Sequence, residues 1–307
     1  MNKVKVLAPA TVANLVCGFD VFGMALSEPY DVMTVSLSEK PGIRIQHIDE
    51  YNLPVEPERN VAGAALLAML EHVEGEKGFD VIIDKQIKPG SGLGSSAASS
   101  AGMVVAANQL LGNPFSNEDL VRFAMNGEKL ASGVKHADNI APCIYGGITL
   151  VRSIFQLDII PLTAPPMYVT VVHPQIEVKT SDARQILRKE VQLKDAIKQW
   201  GNIAGLVAGF LKGDYELIGR SLEDVIIEPV RSMLIPGFDE VKRSCIEGGA
   251  LGGGISGSGP SIFMLSKEEA TARAIETLMK DIYTRLGIEF RTYVTTVNYN
   301  GVQVIPL

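Results

Sequence analysis

Val4-Lys5-Val6-Leu7 alternates apolar and polar positions and then runs into Ala8-Pro9-Ala10-Thr11-Val12-Ala13-Asn14-Leu15, so a short strand is predicted to end in a turn near Ala8. Residues 30–37 and 43–48 read as two further strands. Residues 60–70 form an apolar run of helical length that opens on Asn60, a favoured N-cap residue, and predict a buried helix. The β-branched run at 79–84 predicts a buried strand, and 97–111, free of proline and rich in helix formers, a helix. Another helix starts at Ser116-Asn117-Glu118-Asp119, a capping residue followed by first-turn acids, and carries Glu128 near its far end. Strands are predicted at 148–151, 167–173, 260–265 and 290–297. Helices are predicted to begin at 179–184 and to fill 193–211, 215–227 and 267–286, the 215–227 helix ending at Glu228-Pro229-Val230-Arg231. Pro161, Pro165 and Pro166 interrupt the pattern and place a domain boundary there, giving units 1–164 and 165–307. Strands and helices are mixed without strict alternation, a pattern compatible with an α+β fold.

Composition narrows the class. The chain has 307 residues, 46% of them hydrophobic, enough for a large core. Its net charge of −7, with no basic run, argues against nucleic acid or an acidic membrane surface as partner. Cys17, Cys143 and Cys245 are far apart, odd in number and without metal-ligand spacing, which fits a reducing, cytoplasmic compartment. No stretch has the length of a membrane span or the make-up of a signal peptide.

The chemistry concentrates at Pro89-Gly90-Ser91-Gly92-Leu93-Gly94-Ser95-Ser96-Ala97-Ala98, a glycine-rich turn between a predicted strand and a predicted helix. Glycines at alternate positions permit positive φ and close approach to a ligand, and the following helix directs unpaired N–H groups to the same point. A phosphate group suits that cradle. It is not a P-loop, because Gly94 is followed by Ser95-Ser96 rather than Lys-Ser/Thr. Gly252-Gly253-Gly254-Ile255-Ser256-Gly257 matches a dinucleotide fingerprint by letters, but a strand rather than a helix follows it. Taken singly, Asn14 and Asp20 read as turn residues, Glu128 as a solvated acid, and Arg184 and Arg231 as surface cations.

The glycine turn resembles the phosphate loop of the GHMP kinases, and Gly254-Ile255-Ser256-Gly257-Ser258-Gly259-Pro260-Ser261 is similar to their third motif. Within that superfamily, Ala8–Leu26 is similar to the N-terminal motif of the homoserine kinase family, as are Thr180-Ser181-Asp182-Ala183-Arg184 and Ile227-Glu228-Pro229-Val230-Arg231 to two later segments. The resemblance implies an N-terminal nucleotide-binding domain (ribosomal protein S5 domain 2-like) and a C-terminal ferredoxin-like domain, with the site between them. It implies ATP and Mg²⁺, L-homoserine as the alcohol phosphorylated to O-phospho-L-homoserine on the way to threonine, and a homodimer. Carried over residue by residue, Pro89 to Ser96 cradle the phosphates, Asn60 and Lys88 contact the nucleotide, and Ser96 and Glu128 hold Mg²⁺. Asn14 and Asp20 meet the amino end of the substrate, and Arg184 and Arg231 its carboxylate, for which a planar guanidinium fork is suited.

Where related kinases have an aspartate base, counting back from Gly146-Gly147 reaches Asn139, with Asp138 one residue earlier. Asparagine cannot take a proton at neutral pH, so Asn139 would position the hydroxyl; Asp138, His136 or no residue at all then remains as general base. Two other readings stay open: a GHMP kinase for another small alcohol, and a GHMP-fold sensor that binds ATP without turnover. The sensor reading would go with loss of Glu128 or of the loop hydroxyls, and Glu128, Ser95 and Ser96 are all present.

Overall fold

A computed structural model describes residues 2–178 and 180–307. Its first sheet begins with β1 (Lys3–Ala13) antiparallel to the long β2 (Phe22–Ser38), followed by β3 (Gly42–His47). The helix α1 (Val61–Leu70) leads to β4 (Gly78–Asp84), which pairs antiparallel with β2 and parallel with β3. The helices α2 (Ser95–Leu110), α3 (Asn117–Ser132) and α4 (Ile140–Tyr145) come next, then β5 (Ile148–Ser153) and β6 (Asp158–Leu162). Here β5 pairs with β2 and β6.

The second sheet takes β7 (Tyr168–Pro174) before a helical run: α5 (Thr180–Gln185), α6 (Leu193–Lys212), α7 (Tyr215–Ser221), α8 (Glu228–Arg231) and α9 (Phe238–Glu247). It is completed by β8 (Gly252–Ile255) and β9 (Ile262–Ser266), and after α10 (Glu269–Leu286) by β10 (Phe290–Thr296), in the order β10-β7-β9-β8. The closing strand β11 (Gln303–Pro306) pairs with β1. The α+β expectation therefore holds. We keep the division after residue 164 as a proposal for the chain as far as β10, with one correction: β11 returns to the first sheet, so 165–307 is not one continuous unit.

The core explains most elements. In α2 nearly every residue is buried, because Ala, Ser and Gly allow close approach on all sides; a Cβ on Gly102 would stand 2.9 Å from Met33 Sδ and 3.0 Å from Ala8 Cβ. β1 does not stop at Ala8 as the pattern suggested. Residues 8–13 are all buried, both faces being covered, so alternation disappears while pairing with β2 continues across an irregularity between Pro9 and Thr11. The helix expected over 215–227 ends at Ser221. There the Asp224 carboxylate accepts from the backbone N–H groups of Ile226 (2.8 Å), Ile227 (3.0 Å) and Glu228 (2.9 Å), which offers the chain an alternative to helix. The strands β6, β8 and β11 and the helix α9 had no sequence expectation, and the helix start placed at Lys179 lies outside the described residues.

The caps read from sequence are present. The Ser116 side chain accepts from Asp119 N, and the Asp119 carboxylate accepts in return from Ser116 N. Ser116→Ala is expected to lower stability by about 1 kcal/mol in a urea titration, with the slope unchanged.

Candidate active site

A cavity of about 370 Å³ lies beside the amino end of α2 and reaches residues of both sheets' connections. At one end is the glycine turn. Gly90, Gly92 and Gly94 have φ of +76°, +80° and +68°. A Cβ on Gly92 would fall 2.6 Å from the carbonyl oxygens of Ser256 and Gly259, and one on Gly94 2.0 Å from Thr11 Oγ1. Both are excluded by close approach as well as by backbone angle. The second glycine segment buttresses the first: Ser256 Oγ donates to Gly92 O (2.7 Å), and Ser261 N to Ser91 O (3.2 Å).

Pro89, Gly90, Gly92, Gly94, Ser95 and Ser96 face the cavity, whereas Ser91 and Leu93 are buried behind it. Ser95 Oγ donates to Ile87 O (2.8 Å), so that hydroxyl secures the loop, while Ser96 hydrogen-bonds the Glu128 carboxylate. The Glu128 side chain is buried and its Oε1 finds no hydrogen-bond partner among the described residues. Burial pushes its carboxyl above the usual range, with Ser96 opposing. Lys88 is a correction. It does not line the cavity but donates to Gln175 Oε1 (2.8 Å). The lysine on the wall is Lys85, whose ammonium pairs with Asp31 and donates to Ser95 O (3.0 Å) and Ser99 Oγ (2.8 Å). Sequence reading missed it, although Phe79, Val81 and Ile83 are the buried positions of β4 and Lys85 continues that alternation where Lys88 does not.

The other end of the cavity is charged. Arg184 Nη2 donates to both oxygens of Asp20 (2.9 and 3.0 Å) and lies 3.4 Å from His136 Nδ1. Arg231, almost fully buried, donates from Nε to Ala183 O and from Nη1 to Gly257 O, each at 3.0 Å. The two guanidinium carbons stand 5.5 Å and 4.9 Å from the centroid of the Phe19 ring. Burial, then the nearby Arg184 charge, pulls Arg231 down to about 10. Asn14 (φ +74°) donates from Nδ2 to Gly257 O and accepts at Oδ1 from Asp20 N, so its turn reading is realised on the cavity wall. Between the two ends, Asn139 accepts at Oδ1 from Thr11 Oγ1 (2.7 Å). Thr11 escaped the sequence reading because a fully buried threonine in a strand carries no mark of its partner.

His136 is pulled down by burial, against the Asp20 charge that favours its protonation. Asp138 is pushed up to about 7 by burial, then by the charges of Asp20 and Glu128. With a folded value above the unfolded one, the native chain holds a proton that the unfolded chain releases, and stability falls as pH rises from about 4 through 7. Asp138→Asn is expected to remove much of that loss. In melts without ligand it should match the unsubstituted protein near pH 4 and exceed it by on the order of 4 kcal/mol at pH 8. A parallel pH dependence in the two proteins would contradict this assignment.

Residues 60–147 match the family model for the GHMP kinases N terminal domain and residues 206–283 that for GHMP kinases C terminal. The chain is 45% identical to the homoserine kinase of Chloroherpeton thalassium, over 99% of this chain and 100% of the relative. It is 40% identical to that of Methanocella arvoryzae, over 99% and 98%. The crystal structure of homoserine kinase from Cytophaga hutchinsonii superposes with a TM-score of 0.96 at 50% identity, covering 99% of this chain and 98% of that one. Fold and glycine loops together thus define a GHMP kinase, a two-domain enzyme that takes ATP as substrate. Within that superfamily the chain belongs to the homoserine kinase family.

Proposed function

We propose that this chain transfers the γ-phosphoryl group of ATP to the side-chain hydroxyl of L-homoserine, giving O-phospho-L-homoserine for threonine synthesis. The observation that carries the reading is one cavity with a glycine-lined helix amino end at one side and an acid with two guanidinium groups at the other. Pro89 to Ser96 form the phosphate cradle, with the amides of the first turn of α2 directed at the anion. Asn60, at the amino end of α1, lines the same cavity and would border the nucleoside.

The donor set fits Mg²⁺: a buried carboxylate with an unpartnered oxygen, and beside it a hydroxyl. Ser96 and Glu128 would hold the ion, which supplies charge neutralisation for the phosphates when bound. No cluster of three acidic, histidine or cysteine side chains suited to a metal occurs among the described residues.

The zwitterion suits the other end. Its ammonium takes Asp20 from Arg184, and its carboxylate takes Arg184 and Arg231, so one ion pair is exchanged for three. Asn14 supports Asp20 through the backbone contact above. With the Asn139 carbonyl engaged by Thr11, its amide NH₂ is the group left to orient the hydroxyl, and phosphoryl transfer through a loose transition state rests on that positioning. Asp138 and His136 also line the cavity, and this positioning needs neither of them as general base. The three cysteines are free and buried, in keeping with a reducing cytoplasm, and a homodimer belongs to the same proposal. No helix among the described residues is long and apolar enough to cross a membrane.

The test is initial-rate ADP production with Mg·ATP and L-homoserine, run beside mevalonate, galactose, shikimate and L-serine. A clear preference for homoserine supports the reading. Turnover of another alcohol keeps the kinase and overturns the substrate contacts, and ATP binding without turnover favours a sensor.

A further inference from the structure

Apart from Asn60, a set of buried polar groups at the nucleoside end of the cavity has no part in the mechanism above. His47 ends β3 and faces the cavity with Leu53, Asn60 and Val61. Its Nδ1 lies 3.0 Å from Asp49 Oδ2 and its Nε2 3.0 Å from Asn60 Nδ2, with the His47 and Asp49 side chains only 7% and 3% exposed.

The hydrogen bonds fix every donor. Asn60 Oδ1 accepts from Ala62 N (2.9 Å) and Gly63 N (3.2 Å), so its other atom is the NH₂, which donates to Pro54 O (2.6 Å) and to the ring. His47 Nε2 is therefore an acceptor, and the ring proton sits on Nδ1 and is donated to Asp49. Asp49 also accepts from Tyr51 N (3.0 Å) and, at Oδ2, from Lys85 N (3.3 Å), the residue whose ammonium holds the start of α2. One polar chain thus joins the cap of α1 and the 49–54 segment at the base end to the root of the phosphate loop.

We propose that His47 is a positioning residue for the nucleotide: aligned by Asp49, its ring accepts from the Asn60 amide and so holds the Asn60 cap and the Leu53 wall in the shape the base requires. This rests on the cavity being the ATP site.

Mg·ATP affinity is measured by calorimetry, without turnover, at pH 8 for the unsubstituted protein, His47→Leu and His47→Gln. Glutamine keeps an acceptor near the Nε2 position. His47→Leu is expected to bind ATP about tenfold more weakly, the loss of one buried hydrogen bond, with the homoserine KM unmoved. His47→Gln should recover most of that loss. Unchanged affinity in His47→Leu, equal weakening toward both substrates, or no recovery in His47→Gln would overturn the proposal. If His47→Leu does not fold, His47→Gln decides: affinity within about threefold of the unsubstituted protein supports the acceptor role, and a larger loss overturns it. No ATP binding by the unsubstituted protein would instead overturn the proposed function, and the role of His47 with it.

Discussion

Glu128→Gln is expected to lower kcat for homoserine phosphorylation by about 10²- to 10³-fold and, in the same protein, to raise the melting temperature without ligand. The two effects have one cause. Glu128 is buried near the phosphate loop with Ser96 as its hydrogen-bond partner and one oxygen unpartnered, a state that costs stability unless a cation is present. Glutamine keeps the shape and can still bond Ser96, but it brings no charge to the metal and phosphates. Several kcal/mol of transition-state stabilisation should therefore be lost.

For stability the sign runs the other way. The Glu128 carboxyl is raised by burial, so the native state favours its protonated form and loses stability as pH rises through the folded value. The gain from glutamine should vanish in acid and grow toward alkaline pH. Because the Glu128 charge also helps to raise Asp138, the substitution should draw Asp138 back toward the ordinary carboxylate range. Rates measured across a Mg²⁺ series, with melts at pH 5 and pH 8, test both halves. A kcat within tenfold of the unsubstituted protein removes Glu128 from the metal site, and a lower melting temperature at pH 8 removes the argument from burial. Such opposed effects are usual where a site keeps charges that folding alone would not.

The parts of this site that sequence could reveal are those where local backbone demands limit the residue type. Gly90, Gly92 and Gly94 must adopt positive φ, and Gly92 and Gly94 must also admit a neighbour closer than any Cβ allows, so their spacing was legible. Caps are local too, and Asn60 and Ser116 were read from a few residues. Contacts across long sequence separations were not. Thr11 meets Asn139 across a separation of 128 positions, and nothing near either residue marks the pair.

Lys88 was assigned by resemblance, as the lysine just before the glycines, whereas the period of β4 continues to Lys85. The extended helix drawn over 215–227 failed because its periodicity outlasts the helix, which gives way where the Asp224 carboxylate takes the backbone amides. β11 is short and flanked by turn residues, and only its pairing with β1 makes it a strand. Asp20 and Arg184 were assigned separately by resemblance, whereas the folded chain sets them in direct contact. Charge complementarity within the cavity is visible only once both segments have been brought together.

Arg231→Leu is expected to raise the homoserine KM by about 10²-fold while moving the ATP KM by less than about threefold. Arg231 has no phosphate-loop side chain as partner. Among the described residues it donates to the backbone at Ala183 and Gly257, and its guanidinium, like that of Arg184, lies over the Phe19 ring. Two like charges held this near each other are costly, as the lowering of Arg231 toward about 10 reflects, and Asp20 offsets only part of that cost. A substrate carboxylate would relieve it, which is why the pair should bind an anion strongly and why losing one member should cost on the order of 3 kcal/mol.

Arg231 also ties the 183 and 257 segments together, so a purely structural loss must be separated from a lost contact. The alcohol 3-aminopropan-1-ol, which is homoserine without its carboxylate, makes that separation. If Arg231 pairs with the carboxylate, the unsubstituted enzyme should discriminate strongly against this compound, and Arg231→Leu should lose most of that discrimination by becoming poor toward homoserine alone. If the variant loses activity equally toward both alcohols and toward ATP, the residue acts as a brace between the two backbone segments, and the carboxylate contact passes to Arg184.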